Sequence, residues 1–299
     1  MFVVAGVTGN TGSVVADALL RAGAAVRVVL RAPRSDGQRA AEWTARGAEV
    51  ALADLADAAA LASALHGAQA AYLLVPPNLA VEDPLGDGAR VVAALATAAD
   101  RAALPHAVIL SAFGSHQQDA PGMLATTRAF EERMQDIAGR LTVLRAASFF
   151  ETSAPMMVLG AQTGEMPSLV ALDRRFEQIA AADFGRMAAE IMQAPGDARR
   201  RVIELTGPRA YSANEMAEAV AALAGRPVRA VLVPPEQRVP ALTAIGMGPR
   251  YAAMVVEICD ALSAGRASFE RHDDLRRGVV TLEQWLRGVL AAASRAPMA

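Results

Sequence analysis

At 299 residues, with a formal net charge of −2 and 53% hydrophobic residues, the chain suits one large α/β domain, or one domain with a smaller lobe, around a well-buried core. No basic block draws it to nucleic acid or anionic lipid, no apolar run is long enough to span a bilayer, and the single cysteine, Cys259, excludes an intrachain disulfide. None of its 29 cationic residues is a lysine, which removes Schiff-base chemistry and lysine-assisted proton relays.

An apolar run, Phe2 to Ala5, predicts a first strand. It starts at residue 2 and leaves no room for a signal peptide, so the cytoplasm is the expected compartment. The turn Gly6-Val7-Thr8-Gly9-Asn10-Thr11-Gly12 follows, then helical spacing from Thr11 to Ala22 closed by Gly23, then a second strand, Val26 to Leu30. Strand, glycine turn, helix and strand make the first half of a dinucleotide-binding βαβ unit. Its glycines let the backbone approach a pyrophosphate that sits on the free N–H groups of the helix.

The rhythm continues with a polar helix, Arg39 to Arg46, a strand, Glu49 to Ala53, and a helix, Ala58 to Leu65, opened by Asp54 and Asp57. A strand, Ala71 to Val75, stops at Pro76-Pro77 because proline cannot continue a central ladder. Then come a helix, Asp87 to Ala103, a strand, Ala107 to Leu110, a helix, Thr126 to Ile137, and a strand, Thr142 to Arg145. Such alternation predicts a doubly wound parallel Rossmann sheet covered on both faces.

Past Phe150 the rhythm changes, which divides the chain into a 1–150 dinucleotide-binding domain and a smaller, mostly helical 151–299 lobe covering the substrate, with some elements returning to the first domain. A hairpin is predicted over Leu169 to Ile179, an Asp183 N-cap for a helix to Gln193, and a strand over Val202 to Leu205. Ser212 should cap a helix from Ala213 to Ala224, with a strand over Val228 to Val233 and a last helix from Thr281 to Ala293. Arg199, Arg200 and Arg201 read as a solvated turn, and His66, His106 and His272 as surface residues at element ends.

The end of the second strand sets the cofactor. An NAD site places an acidic residue there for the ribose 2′-OH; this chain has Arg31, with Arg34 three residues on, whose guanidinium groups suit a 2′-phosphate. NADP(H) is therefore favoured, and Asp36 keeps NAD(H) open. Asp54 sits where such folds touch adenine, and serves equally as a helix cap. Leu74, Val75 and Pro76 would line the nicotinamide side.

In this order, GVTGNTG, VRVVLRAPR, ADLAD, YLLVPP, VILSA, TVLRAASFFE, AAADFG and IELTGPRAYSANEMAEAV resemble the NmrA-like, or atypical short-chain dehydrogenase/reductase, family. The resemblance covers most of the chain and weakens after about Gln237. It implies an NADPH-binding Rossmann domain with a small substrate lobe, in a group that spans quinone and dye reductases, isoflavone-reductase-like enzymes and cofactor-sensing co-regulators. It places Gly6, Thr8, Gly9, Asn10, Thr11 and Gly12 in the phosphate loop, Arg31 and Arg34 on the 2′-phosphate and Asp54 and Leu55 at adenine. Leu74, Val75 and Pro76 fall beside the nicotinamide ribose, and Ser111 at the end of the fifth strand. Glu132 matches the glutamate of a His-x-x-x-Glu pair whose histidine is here Arg128.

None of the three tyrosines, Tyr72, Tyr211 and Tyr251, is followed by the lysine of a Tyr-x-x-x-Lys couple, which rules out alcohol/ketone interconversion by that route. Hydride transfer to a quinone or electron-poor dye is less demanding, since the product anion is delocalised and positioning can suffice. His116, after the fifth strand, and Ser111 are the candidate catalytic groups. A loop histidine is as readily a solvent-facing residue, and Ser111 could instead bond the nicotinamide or backbone. Phe113, Phe149, Phe150 and Met156, with Met157 and Met166, form a substrate pocket or an ordinary core stripe. No spacing suggests a metal and no GxSxG elbow is present. The expectation is an NADPH-dependent reductase of a quinone-like or conjugated small molecule; an NADP(H)-sensing protein without turnover is the alternative. No direct nucleic-acid or membrane partner is expected, and a homodimer stays open.

Overall fold

In the first half, β-branched and aliphatic runs alternate with helices that each carry one apolar face. Strand β1 (Phe2–Val4) leads to α1 (Asn10–Arg21), β2 (Val26–Leu30), α2 (Gly37–Ala45), β3 (Glu49–Leu52) and α3 (Ala58–Leu65). Then follow β4 (Ala70–Leu73), α4 (Pro84–Arg101), β5 (His106–Ala112), α5 (Leu124–Met134) and β6 (Arg140–Ala146). The second half supplies β7 (Ser148–Phe149), α6 (Phe150–Thr163), β8 (Glu165–Ser168), β9 (Gln178–Ile179), α7 (Ala181–Gln193) and β10 (Arg200–Thr206). It ends with α8 (Ala213–Ala224), β11 (Arg229–Leu232), α9 (Pro235–Ala244), α10 (Pro249–Ser263), β12 (Leu275–Arg277) and α11 (Leu282–Ala293). The structure, a computed structural model, describes residues 1–31, 37–137, 139–270 and 274–293. Arg34, Asp36 and His272 lie outside them.

The central sheet has the order β12-β10-β6-β5-β4-β1-β2-β3, all parallel. Parallel strands need both faces covered. One core packs β1 and β2 side chains such as Val4 and Val28 against α1 and α7; the other packs Val3, Leu73 and Ile109 against α3, α4 and α5. Strand order reverses between β1 and β4, and this switch opens a crevice at the carboxyl ends of those strands, facing the start of α1. Helix α7 lies directly on α1, where a Cβ at Gly185 would come within 2.6 Å of Val14 Cβ. A separate apolar cluster gathers Phe150, Met157, Tyr211, Met216, Leu282 and Leu286.

Several expectations are corrected. There is no hairpin over 169–179: β8 pairs in parallel with β11, and β9 with β7, leaving one antiparallel bridge between Phe176 and Tyr211. Asp183 does not cap α7, whose N-cap is Ala180. It sits one turn inside, wholly buried, and accepts the Val280 N–H at 2.7 Å, tying α7 to the segment after β12. Arg200 and Arg201 belong to β10 rather than to a turn. His106 is buried within β5, 2.9 Å from Thr142 Oγ1, and burial together with Arg140 lowers its pKa to about 4. The Ser212 cap stands as expected, with a full capping box to Glu215 and Gly225 ending α8 at φ 65°.

Candidate functional site

Each glycine of the first turn has a separate physical role. Gly6 turns the chain at φ 69°, and its bare Cα lets Leu74 close on it, since a Cβ there would lie 2.5 Å from Leu74 Cδ2. Gly12 brings α1 against β1: a Cβ would stand 2.4 Å from the Gly6 carbonyl oxygen and 2.6 Å from that of Ala5. Gly9 is the N-cap, in extended conformation and with no side-chain cap. The first N–H groups of α1 are therefore left for an external acceptor, as a bound pyrophosphate requires. Thr8, Gly9 and Asn10 are exposed at this turn and Thr11 is buried beneath it. Tyr72, fully buried on β4, donates to Thr11 Oγ1 at 3.0 Å, so the Thr11 hydroxyl keeps its own hydrogen for donation elsewhere. Burial holds the Tyr72 phenol well above its ordinary pKa and keeps it a donor.

At the other end of the crevice Arg31 follows β2, its side chain 73% exposed, with Nε 3.7 Å from Asp54 Oδ2. An exposed pair of this kind contributes about 0–1 kcal/mol and does not tie the guanidinium down. Asp54 also accepts the Ala56 N–H at 2.8 Å, and Asp57 is the true cap of α3. Leu55 is half-buried beside them. The residues present thus fit a 2′-phosphorylated dinucleotide: a glycine cradle that a Cβ would fill, an uncapped helix start and an exposed, weakly held arginine.

Immediately past Leu74, Val75 and Pro76, the chain enters the wall of an apolar cavity of about 340 Å³. Pro77 and Leu79 border it on this side, Met156, Met157 and Met166 on another, and Tyr251, Val255, Cys259 and Leu262 roof it from α10. Of the six residues expected to line a substrate pocket, Met156, Met157 and Met166 line this cavity, and Phe113, Phe149 and Phe150 do not. Phe150 points the other way, wholly buried between Tyr211 and Trp285 at ring separations of 5.8 and 5.5 Å. Phe149 packs on Phe184 at 5.5 Å in the sheet core, and Phe113 on Phe269 at 5.6 Å in a neighbouring cluster. Phe149 is the N-cap of α6 and Phe150 its first residue, and successive positions there point in different directions, so a run of large apolar residues does not share one pocket.

The roof residues were missed, although Tyr251, Val255, Cys259 and Leu262 recur at helical spacing and carry that signal. Burial and Asp260 push the Cys259 thiol up to about 11, against a smaller opposing effect of Arg238, so it is no nucleophile near neutrality. Tyr251 is also raised by burial and stays protonated. Tyr72 is engaged with Thr11, and the Tyr211 hydroxyl accepts the Leu282 N–H at 3.1 Å. Tyr251 alone of the three has no hydrogen bond to a described residue.

Ser111 is not directed at this cavity. It projects toward α5 and donates to Glu131 Oε1 at 2.5 Å, in register with Arg145 and, one strand further, Glu204. Arg145 holds Glu131 with two bonds of 2.9 and 2.7 Å and also binds Glu270. This buried polar row stitches three strands to α5 and leaves the Ser111 hydroxyl occupied. His116 is half-buried in the loop after β5, off the cavity wall, with Nδ1 shielded and without a partner. Arg128 and Glu132 pair with each other at 2.8 Å. Among the described residues no group of three His, Cys, Asp or Glu could hold a metal ion, and no helix is long and apolar enough to cross a membrane.

A family model described as the NmrA-like family matches residues 1–263. An NAD(P)H azoreductase from Xenophilus azovorans is 28% identical over 258 residues, 86% of this chain and 86% of its own length. A (4-alkanoyl-5-oxo-2,5-dihydrofuran-3-yl)methyl phosphate reductase from Streptomyces griseus subsp. griseus is 30% identical over 238 residues, 77% of this chain and 76% of its own. Among solved structures, Citrobacter sp. triphenylmethane reductase complexed with NADP(H) superposes with a TM-score of 0.82 at 19% identity, over 98% of this chain and 100% of that one. An NADPH-dependent quinone oxidoreductase from Escherichia coli, complexed with NADPH, does so with a TM-score of 0.80 at 21% identity, over 97% and 99%.

Proposed function

The chain belongs to the NmrA-like family, and from that premise we propose that it is an NADPH-dependent reductase of a quinone-like or otherwise conjugated small molecule. The observation that carries this reading is the apolar cavity that begins one residue past Pro76, beside a crevice fitted to a dinucleotide phosphate. Two of the similar proteins are named as reductases, which agrees with it.

When bound, the reduced nicotinamide supplies a hydride. The N–H groups at the start of α1 and the Thr11 hydroxyl would hold the pyrophosphate, and Arg31 would meet the 2′-phosphate. Leu74, Val75 and Pro76 would border the nicotinamide. The methionines of the wall adapt to a flat ring and keep water away from it. Tyr251, held neutral by burial, donates a hydrogen bond to the acceptor oxygen or nitrogen and stabilises the charge that develops there. Ser111 takes no part, because Glu131 occupies its hydroxyl.

The test is an anaerobic assay of NADPH absorbance with a panel of neutral quinones, azo dyes and enones. Oxidation of NADPH by at least one acceptor, with an equal amount of reduced product, is expected. Tight NADPH binding with no oxidation by any acceptor would instead establish a cofactor sensor.

A further inference from the structure

A second chamber, of about 410 Å³, adjoins the apolar cavity and shares Phe176 and Leu262 with it. Its aromatic walls are Phe113, Phe176 and Phe269. Glu204, on β10, forms part of its inner wall and is fully buried. One carboxylate oxygen, Oε1, accepts the Glu270 N–H at 2.7 Å and lies 3.9 Å from Arg145 Nη1. The other, Oε2, is shielded from solvent and accepts no hydrogen bond. Such an oxygen is costly to leave bare, by about 1–3 kcal/mol and more for a charged group. Arg145 cannot meet the demand, because its short bonds go to Glu131 and Glu270.

The rest of the wall says which ligand would. Ring faces attract cations, and three phenylalanines border the approach to the carboxylate. Three other charged groups line the chamber: Arg174, Arg175 and Glu177. Arg175 is paired with Glu215 at 2.9 Å, and Glu177 accepts the Thr206 hydroxyl at 2.5 Å and lies 3.8 Å from Arg277. Arg174 is exposed and lies against Gly265. Among the described residues no third ligand converges with Glu204 and Glu177 to hold a metal ion. We propose that this chamber is a binding site for a small organic ammonium with an aromatic body, its cationic head on Glu204 Oε2 and its ring among Phe113, Phe176 and Phe269. The site uses no group of the cofactor crevice, and Phe176 and Leu262 are the residues it shares with the apolar cavity.

The probe is benzylammonium, titrated calorimetrically into the full-length protein near neutral pH, with benzyl alcohol as the uncharged comparator. Saturable binding of benzylammonium is expected, with benzyl alcohol weaker by about tenfold or more, the lower range for a charge-assisted hydrogen bond. Glu204→Gln should weaken benzylammonium by a similar factor and leave benzyl alcohol unchanged. Should Glu204→Gln fail to fold, Ser268→Arg sets a cation on the exposed rim of the same chamber and should give the same selective loss. Absence of saturable binding, equal affinity for the alcohol, or unchanged benzylammonium affinity in the folded variant would overturn the proposal. NADPH oxidation is not read at all, so failure of the reductase reading cannot be mistaken for failure of this one.

Discussion

Replacing Gly12 by alanine tests how the phosphate loop is built. The new methyl group would stand 2.4 and 2.6 Å from two carbonyl oxygens of the preceding strand and turn, whereas ordinary contact begins near 3.4 Å. Both obstacles are backbone atoms, so the start of α1 must move away from β1 by about 1 Å rather than let a side chain swing aside. Strain of this kind costs about 2 kcal/mol, which lowers the melting temperature by roughly 3 °C in a chain of this size. The same displacement carries the N–H donors away from the pyrophosphate and should weaken NADPH by about tenfold or more. Gly9→Ala is the control. Gly9 has φ −100° and ψ 176°, which any residue adopts, and a Cβ there meets nothing nearer than the Gly6 carbonyl oxygen at 3.4 Å. Its stability should stay within about 1 kcal/mol of wild type, the cost of a poorer N-cap residue. Thermal melting and fluorescence titration with NADPH read both effects. A Gly12→Ala protein that melts and binds NADPH like wild type would refute the assignment of that contact to helix-strand packing.

Arg31→Ala should weaken NADPH by about tenfold to a hundredfold, the loss of a charge-assisted contact, and leave NADH nearly unchanged; equal losses would show that Arg31 does not read the 2′-phosphate. His106 is neutral in the folded protein with a pKa of about 4, whereas the unfolded chain takes up the proton near 6.5. Below pH 6.5 the unfolded state therefore binds more protons, and stability falls by up to about 3 kcal/mol as the pH drops toward 4. Denaturant titrations across that range should show His106→Gln losing this part of the slope, and identical profiles would contradict it. Arg145→Met strands Glu131 and its neighbours in the core and should cost about 4 kcal/mol, roughly 6 °C in melting temperature. Adding Glu131→Met to that variant should recover part of the loss; no recovery would place the cost in packing instead.

The sheet was readable where periodicity and punctuation agree. Val26–Leu30 and Ala58–Leu65 have the bounds their apolar patterns predict, and Ser212 and Gly225 bracket α8 as capping chemistry requires. The two-residue strands β7 and β9, and β12 with its Leu-Arg-Arg, carry no alternation to detect, and they exist because the sheet and the lobe supply partners. Burial of charged residues was equally hidden. Arg145 at a strand end reads as an exposed cation until Glu131, 14 residues earlier on α5, and Glu270, 125 residues later, are brought to it. Asp183 has an N-cap's composition at the start of a helix, but its partner is the Val280 N–H, 97 residues away. The substrate side failed for the same reason: the roof of the cavity comes from α10, which the chain order does not associate with β4 or α6.

The central claim is that the apolar cavity is where an acceptor meets the cofactor. Thr152 lines that cavity from the exposed side of α6, so Thr152→Trp can fill it without disturbing the core. With the acceptor that wild type reduces best, anaerobic measurement of NADPH oxidation should show turnover abolished or greatly reduced in Thr152→Trp, while NADPH titrates with wild-type affinity. Wild-type turnover by a folded Thr152→Trp protein would mean that reduction takes place elsewhere, and would contradict the account.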